Sequence, residues 1–168
     1  MKKIIVTGGP SSGKTTLINN LEAKGYCCHH EISRAIISKH NITSARKDFD
    51  FEQEVFNLRL KQFLSSSEKL QFFDRSIIDG LAYMNVNHVK IPEYFIKQIT
   101  NNRYHCDVFF TPFWETIYTR DDQRLESMEK AQKISNAIKN IYDSFNYNII
   151  GLPKVSVDDR TDFILSKI

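Results

Sequence analysis

Residues 8–15 read GGPSSGKT, and the run ahead of them, Lys2 to Thr7, reads KKIIVT. The octapeptide matches in full the pattern of Gly, four residues, Gly, Lys and Ser or Thr, a phosphate-binding loop that should follow a buried strand and open a helix. Eight positions in a glycine-rich turn also match by chance, so the flanks decide. The run before the loop is short, apolar and β-branched and stops at a Gly-Gly pair. Behind it, Leu17, Ile18 and Leu21 recur at helical spacing from Lys14 to Ala23, and Gly25 supplies a stop. Strand, loop and helix therefore follow one another as the pattern requires.

Each part of the loop has a physical task. Gly8 and Gly13 permit turns closed to other residues, so the loop built from Gly8, Gly9, Pro10, Ser11, Ser12 and Gly13 can direct backbone NH groups around phosphate oxygens. The helix beginning at Lys14 adds its positive dipole end. Lys14 reaches the β and γ phosphates as a point charge, the Thr15 hydroxyl completes a magnesium shell, and Thr16 donates to the α phosphate. The expected ligands are ATP, with GTP as an alternative, and Mg2+. No Asn-Lys-x-Asp guanine-reading motif is present, which leans toward ATP.

Working outward, Tyr26 to His30 reads as a second strand, Lys69 to Asp74 as a third, Cys106 to Phe110 as a fourth and Asn148 to Leu152 as a fifth. Helical spacing marks 31–38, 49–64, 77–84, 92–100, 122–145 and 158–168. Strands alternating with helices predict an α/β three-layer sandwich, a five-stranded parallel sheet with helices on both faces and ligands at the carboxyl ends of the strands. The length of 168 residues, 41% of them hydrophobic, suits one nucleotide-binding domain over 1–168, and no repeat or linker divides it.

The bulk numbers also exclude. A net charge of +3 with scattered basic residues asks for no nucleic acid. No apolar run approaches the roughly 20 residues that cross a bilayer, and the amino terminus enters a folded motif at once, so a cytoplasmic protein is expected. Three cysteines form no disulfide framework. Cys27, Cys28, His29 and His30 invite a zinc site, but side chains of an extended segment alternate faces and cannot converge on one ion; the same argument applies to His105 and Cys106.

The polar residues at strand ends are the site candidates. Asp74, closing LQFFD, stands where a carboxylate holds magnesium through water, or else it or Ser76 caps the helix that follows. Arg75 binds an anionic group or pairs with a carboxylate across the cleft. Glu31 follows the second strand, where a carboxylate accepts the proton of an attacking hydroxyl; the alternative is a pair with Arg34. Arg120 and Arg124 share a helix face and suit a lid that closes on the transferring phosphate, or a solvated face paired with Asp121 and Asp122.

The runs TGGPSSGKTTLI, HEISRAI, FDRSIIDGLAY, FFTPFWETIYTRDDQR and LPKVSVDDR together resemble the NadR/Ttd-type family of P-loop ATPases that carries the AAA label, from about Lys3 to about Phe163. The resemblance implies the kinase-type P-loop fold, with a short lid after the fourth strand and without the helical lid domain of AAA+ machines. Such families include the ribosylnicotinamide kinase portion of NadR regulators and an insect GTP-binding trafficking protein. A more distant similarity to deoxynucleoside kinases implies a base at Glu31 and matches their Glu, Arg, Ser triplet with Asp74, Arg75 and Ser76, the acid one methylene shorter. It also implies that the loop from Pro153 to Arg160 holds the purine, with Arg160 stacked on it.

These expectations converge on a magnesium-dependent small-molecule kinase that moves the γ-phosphoryl of ATP to a hydroxyl of a nucleoside-like metabolite. The alternative is an ATP- or GTP-dependent binding or regulatory module with slow NTPase activity, in which Phe113, Trp114 and Tyr118 lie beside the lid. The acceptor pocket falls in 41–64 and 81–103, whose sequence names no acceptor.

Overall fold

The structure, a computed structural model, describes residues 1–40, 49–65, 67–115 and 127–168. Its strands are β1 (Lys2–Gly8), β2 (Cys27–His29), β3 (Leu70–Asp74), β4 (Asp107–Thr111) and β5 (Asn148–Gly151). Its helices are α1 (Lys14–Ala23), α2 (Ser33–His40), α3 (Phe49–Ser65), α4 (Asp79–Val86), α5 (Glu93–Asn101), α6 (Met128–Ser144) and α7 (Val157–Leu165). Every expected strand is present, displaced by two residues at most. The expected α6 start at Asp122 and the lid that carries Arg120 and Arg124 lie outside the described residues.

The sheet is parallel throughout, in the order β2-β3-β1-β4-β5. β1 is central, paired on both sides and buried from Ile4 to Gly8, and side-chain alternation divides it between two cores. Ile4 and Val6 pack with Phe72 and Phe109 under Leu17, Ile18, Leu21 and Ile164, from α1 and α7. Ile5 packs with Phe73, Val108 and Phe110 on the opposite face, beneath α3, α4, α5 and α6. The expected sandwich with helices on both faces is the observed one.

Because all five strands run the same way, their carboxyl ends meet at one edge. Val6 stands beside Asp74, and Gly8 beside Thr111. The loop after β1 is thereby flanked by the ends of β3 and β4, with those of β2 and β5 one strand further out.

Candidate functional site

The loop has the conformation its glycines allow. Gly8 sits at φ +145°, and a Cβ there would collide with the side-chain and carbonyl oxygens of Thr111, so a bare backbone lets β1 and β4 converge. Gly13 sits at φ +80° and caps α1 without a side-chain hydrogen bond, and the first turn carries no acid. By contrast, α6 and α7 are capped by the Ser127 and Ser156 hydroxyls. The free NH groups of α1 thus face the loop as anion donors.

Inside the loop, Ser12 Oγ donates to the Gly9 carbonyl at 2.8 Å and lies 2.7 Å from Thr111 Oγ1, which donates to the Thr7 carbonyl at 3.0 Å. Lys14 Nζ is buried over the loop and donates to the Gly9 carbonyl at 2.5 Å and to Ser12 Oγ at 3.1 Å. Burial first, and the Arg75 guanidinium second, push the Lys14 ammonium down to about 7, against the pull of Asp74, Glu31 and Asp79. Phosphate oxygens are the partners that would raise it again. Ser11 is buried, Pro10 half-buried, and Thr15 and Thr16 are exposed on the first turn of α1.

Asp74 ends β3 next to the loop strand and is 4% exposed. Burial, reinforced by Glu31, pushes its carboxyl up to about 6 despite Lys14, Arg75 and Arg59. Its Oδ1 is buried with no hydrogen-bond partner among the described residues. The capping alternative for Asp74 or Ser76 finds no cap bond: α4 has Ile78 as its N-cap with no side-chain hydrogen bond, and the turn before it is held by Ser76 Oγ, which accepts from Ile78 NH at 3.0 Å, and by Asp79 Oδ2, which accepts from Ser76 NH at 2.9 Å. A buried, unmatched carboxylate oxygen beside a phosphate loop fits a hydrated magnesium ion, with Thr15 as the hydroxyl ligand on α1.

Glu31 has the opposite surroundings. It accepts from Arg59 Nη2 at 2.6 Å, from Ser33 Oγ at 2.9 Å and from Arg75 Nε. Among the described residues its ion-pair partners are these two arginines, from α3 and the end of β3, and not Arg34. Arg75 and Arg59 hold its carboxyl far below the usual carboxylate range, although burial alone would raise it. Arg75 is locked in turn: it sits at φ +71°, a conformation uncommon outside glycine, and donates through Nη1 to the Gly8 carbonyl at 2.9 Å and to Asp79 Oδ1 at 3.3 Å. The guanidinium therefore ties the second and third strand ends to the root of the phosphate loop.

Asp79, wholly buried, is the residue sequence reasoning missed that organises most. Besides Arg75 and Ser76 it accepts from Thr7 Oγ1 and from Tyr142 Oη at 2.5 Å, so β1, α4 and α6 meet on one carboxylate. Arg59 was missed as well, yet it left a signal. Glu52, Phe56, Arg59 and Phe63 lie three or four residues apart on α3 and all are buried, so charges occupy positions on an apolar stripe. Gly9 meets Ser135 and Ala131 of α6, which seats that helix on the loop.

Arg160 lies on the other side of the loop, on α7, 6% exposed, with its Cζ 5.6 Å from the Trp114 ring centroid. Elsewhere the alternation argument against metal ligands fails at one place: a bend at Cys106 leaves His105, Cys106 and Asp107 with one ligand atom each, all within 4.8 Å of one another. The described residues show no such convergence at 27–30, where β2 keeps the chain extended. No described helix is long and apolar enough to cross a membrane.

Solved structures similar to this one share its fold at low identity. Deoxyadenosine kinase from M. mycoides with bound dATP aligns over 99% of this chain and 98% of its own, with a TM-score of 0.75 and 17% identity. NadR protein in complex with NR gives a TM-score of 0.80 at 16% identity; 98% of this chain is covered but only 50% of NadR, so the chain spans half of that protein. Thymidylate kinase from Ehrlichia chaffeensis aligns over 99% and 97% with a TM-score of 0.67 and 13% identity. No curated protein matches the chain. The model of a family described as an AAA domain matches residues 3–160, a stretch that takes in the loop and all five strand ends, and the chain belongs to that family.

Proposed function

We propose that the protein is a magnesium-dependent phosphotransferase that moves the γ-phosphoryl of ATP to a hydroxyl of a nucleoside-like acceptor. The observation that carries this is Glu31: a carboxylate fixed by two arginines at the end of β2, in the same cleft as Lys14 and the phosphate loop. A loop that only bound or hydrolysed a nucleotide has no need of a buried, doubly clamped carboxylate on that side. The kinases that share the fold support the same class of reaction.

In this reading the loop NH groups and Lys14 bind the β and γ phosphates, and Lys14 stays protonated once phosphate oxygens replace the Gly9 carbonyl as its partner. Asp74 and Thr15 would hold Mg2+, which would neutralise negative charge on the phosphates. Glu31 accepts a hydrogen bond from the acceptor hydroxyl and aims its oxygen at the γ phosphorus. A carboxylate this acidic is a weak base, which suits a loose transition state in which the proton leaves late. Arg75 and Arg59 act as the frame of Glu31. Arg120 and Arg124 keep their proposed role of stabilising charge on the transferring group.

Incubation of the pure protein with Mg-ATP and a panel of nucleosides, deoxynucleosides and nicotinamide riboside, followed by mass spectrometry, should yield a monophosphate. Glu31→Gln should lower transfer by about 10²-fold or more while ATP affinity stays within about twofold. No product across the panel, or equal loss of transfer and affinity in Glu31→Gln, would sink the proposal.

A further inference from the structure

At the amino ends of the strands, opposite to the phosphate loop, three metal-ligating side chains stand together. His105, Cys106 and Asp107 each offer one ligand atom, all within 4.8 Å of one another, and no other three such groups converge among the described residues. Along β4, four residue steps separate Asp107 from Thr111, which touches the loop through Ser12, so the two places lie about 13 Å apart. We propose that His105, Cys106 and Asp107 bind a divalent metal ion of the zinc type, in a site separate from that of the magnesium proposed beside Asp74.

The donor set selects the ion. An imidazole nitrogen, a thiolate and one carboxylate oxygen suit zinc or cobalt and leave the fourth corner of a tetrahedron to water, whereas magnesium asks for an octahedron of oxygens. The backbone fixes the three residues in advance. His105 NH donates to the Lys3 carbonyl of β1 at 2.9 Å, and the Cys106 carbonyl accepts from Asn148 NH of β5 at 2.9 Å. A bend at Cys106 then brings to its two neighbours a thiol that an extended chain would send to the far face. Asn148 also orients Asp107: its Nδ2 donates to Oδ1 at 2.7 Å, while Oδ2 stands 3.9 Å from His105 Nδ1. That ring nitrogen accepts from Asp107 NH at 3.2 Å, so it carries the lone pair a metal needs and gives up a hydrogen bond at the long end of the normal range. The thiol is exposed and the other two side chains are 24% exposed, which leaves a way in from solvent. On binding, the thiol loses its proton to solvent, and the thiolate and carboxylate charges balance those of the divalent ion.

Cobalt(II) is the probe, because a thiolate ligand gives it a charge-transfer band in the near ultraviolet. It is titrated into the full chain, kept reduced by a non-thiol reductant and free of nucleotide, with calorimetry for zinc and circular dichroism melts for folding. The wild type is compared with Cys106→Ser, His105→Gln and the double variant Cys27→Ser/Cys28→Ser, which removes the other two cysteines. The wild type and the double variant should show the band and saturate at one ion per chain, and Cys106→Ser should lack it. His105→Gln should weaken zinc about tenfold or more. Zinc should displace the cobalt, whereas a large excess of magnesium should not. Should Cys106→Ser fail to fold, the loss in His105→Gln decides: a tenfold weakening supports the site, and unchanged affinity overturns it. No band in the wild type, a band that survives Cys106→Ser or disappears in the double variant, or displacement by magnesium overturns the site and leaves the phosphotransferase proposal standing.

Discussion

Glu31 and Asp74 are both carboxylates at the carboxyl ends of neighbouring parallel strands, and their surroundings drive them in opposite directions. Glu31 meets two guanidinium groups and a hydroxyl, which hold it ionised far below the usual range. Asp74 is buried with an oxygen that nothing among the described residues satisfies, and its carboxyl rises to about 6. One acid has cations on both of its oxygens, and the other keeps an oxygen without a partner among the described residues. In the proposed reading that difference separates a group that positions an acceptor from a group that would hold a metal, though either one alone reads as an acid after a strand.

Breaking the paired acid should have the largest effect. Arg75→Met leaves Glu31 and Asp79 buried with one cation fewer, and removal of one partner of a buried pair typically costs about 3–5 kcal/mol. Urea unfolding should show a loss of unfolding free energy of that size, and a loss under about 1 kcal/mol would mean that Glu31 is not held by Arg75 in solution.

Breaking the other acid should spare the fold and strike the metal. Asp74→Asn should weaken the magnesium dependence of nucleotide binding about 10- to 100-fold, the usual effect of losing an acid that grips a metal through water. Calorimetric ATP titrations at a series of magnesium concentrations measure it, and an unchanged dependence would remove Asp74 from the metal site.

The smallest effect sharpens the comparison through pH. A carboxyl whose folded value lies near 6 against an ordinary 3.8 binds more protons folded than unfolded between those values, so its contribution to stability falls as pH rises through that window. Glu31, lowered instead, contributes stability that is present above the ordinary carboxylate range and is lost as pH falls below it. Without magnesium, the stability of the wild type minus that of Asp74→Asn should decline from about pH 4 to pH 6, by no more than about 1.4 kcal/mol per pH unit. A flat difference would show that Asp74 is not desolvated.

Much of this was legible in the chain. The loop, its two glycines and the five strands rest on local periodicity and local backbone restrictions, and they appear within two residues of where those features place them. The α4 start is instructive, since helical spacing from Ile77 predicts an earlier beginning. Asp79 Oδ2 accepts from Ser76 NH and Ser76 Oγ accepts from Ile78 NH, which holds a turn there, so the helix starts at Asp79. Arg59 was harder, because a cation on an apolar stripe reveals that a buried partner exists without saying which one.

The sequence by itself determined the loop between β1 and α1, the proposed phosphate site, because the residues that shape that loop are contiguous and their conformations are set by the absence of Cβ atoms and by one helix end. Only the tertiary structure decided what the acids meet. Glu31 finds Arg59 28 residues away and Arg75 44 residues away, whereas one strand over Asp74 keeps an oxygen without a partner among the described residues. The proton affinity of a buried carboxylate is set by the charges and dipoles that long-range packing brings within a few ångströms, and spacing along the chain carries no record of those.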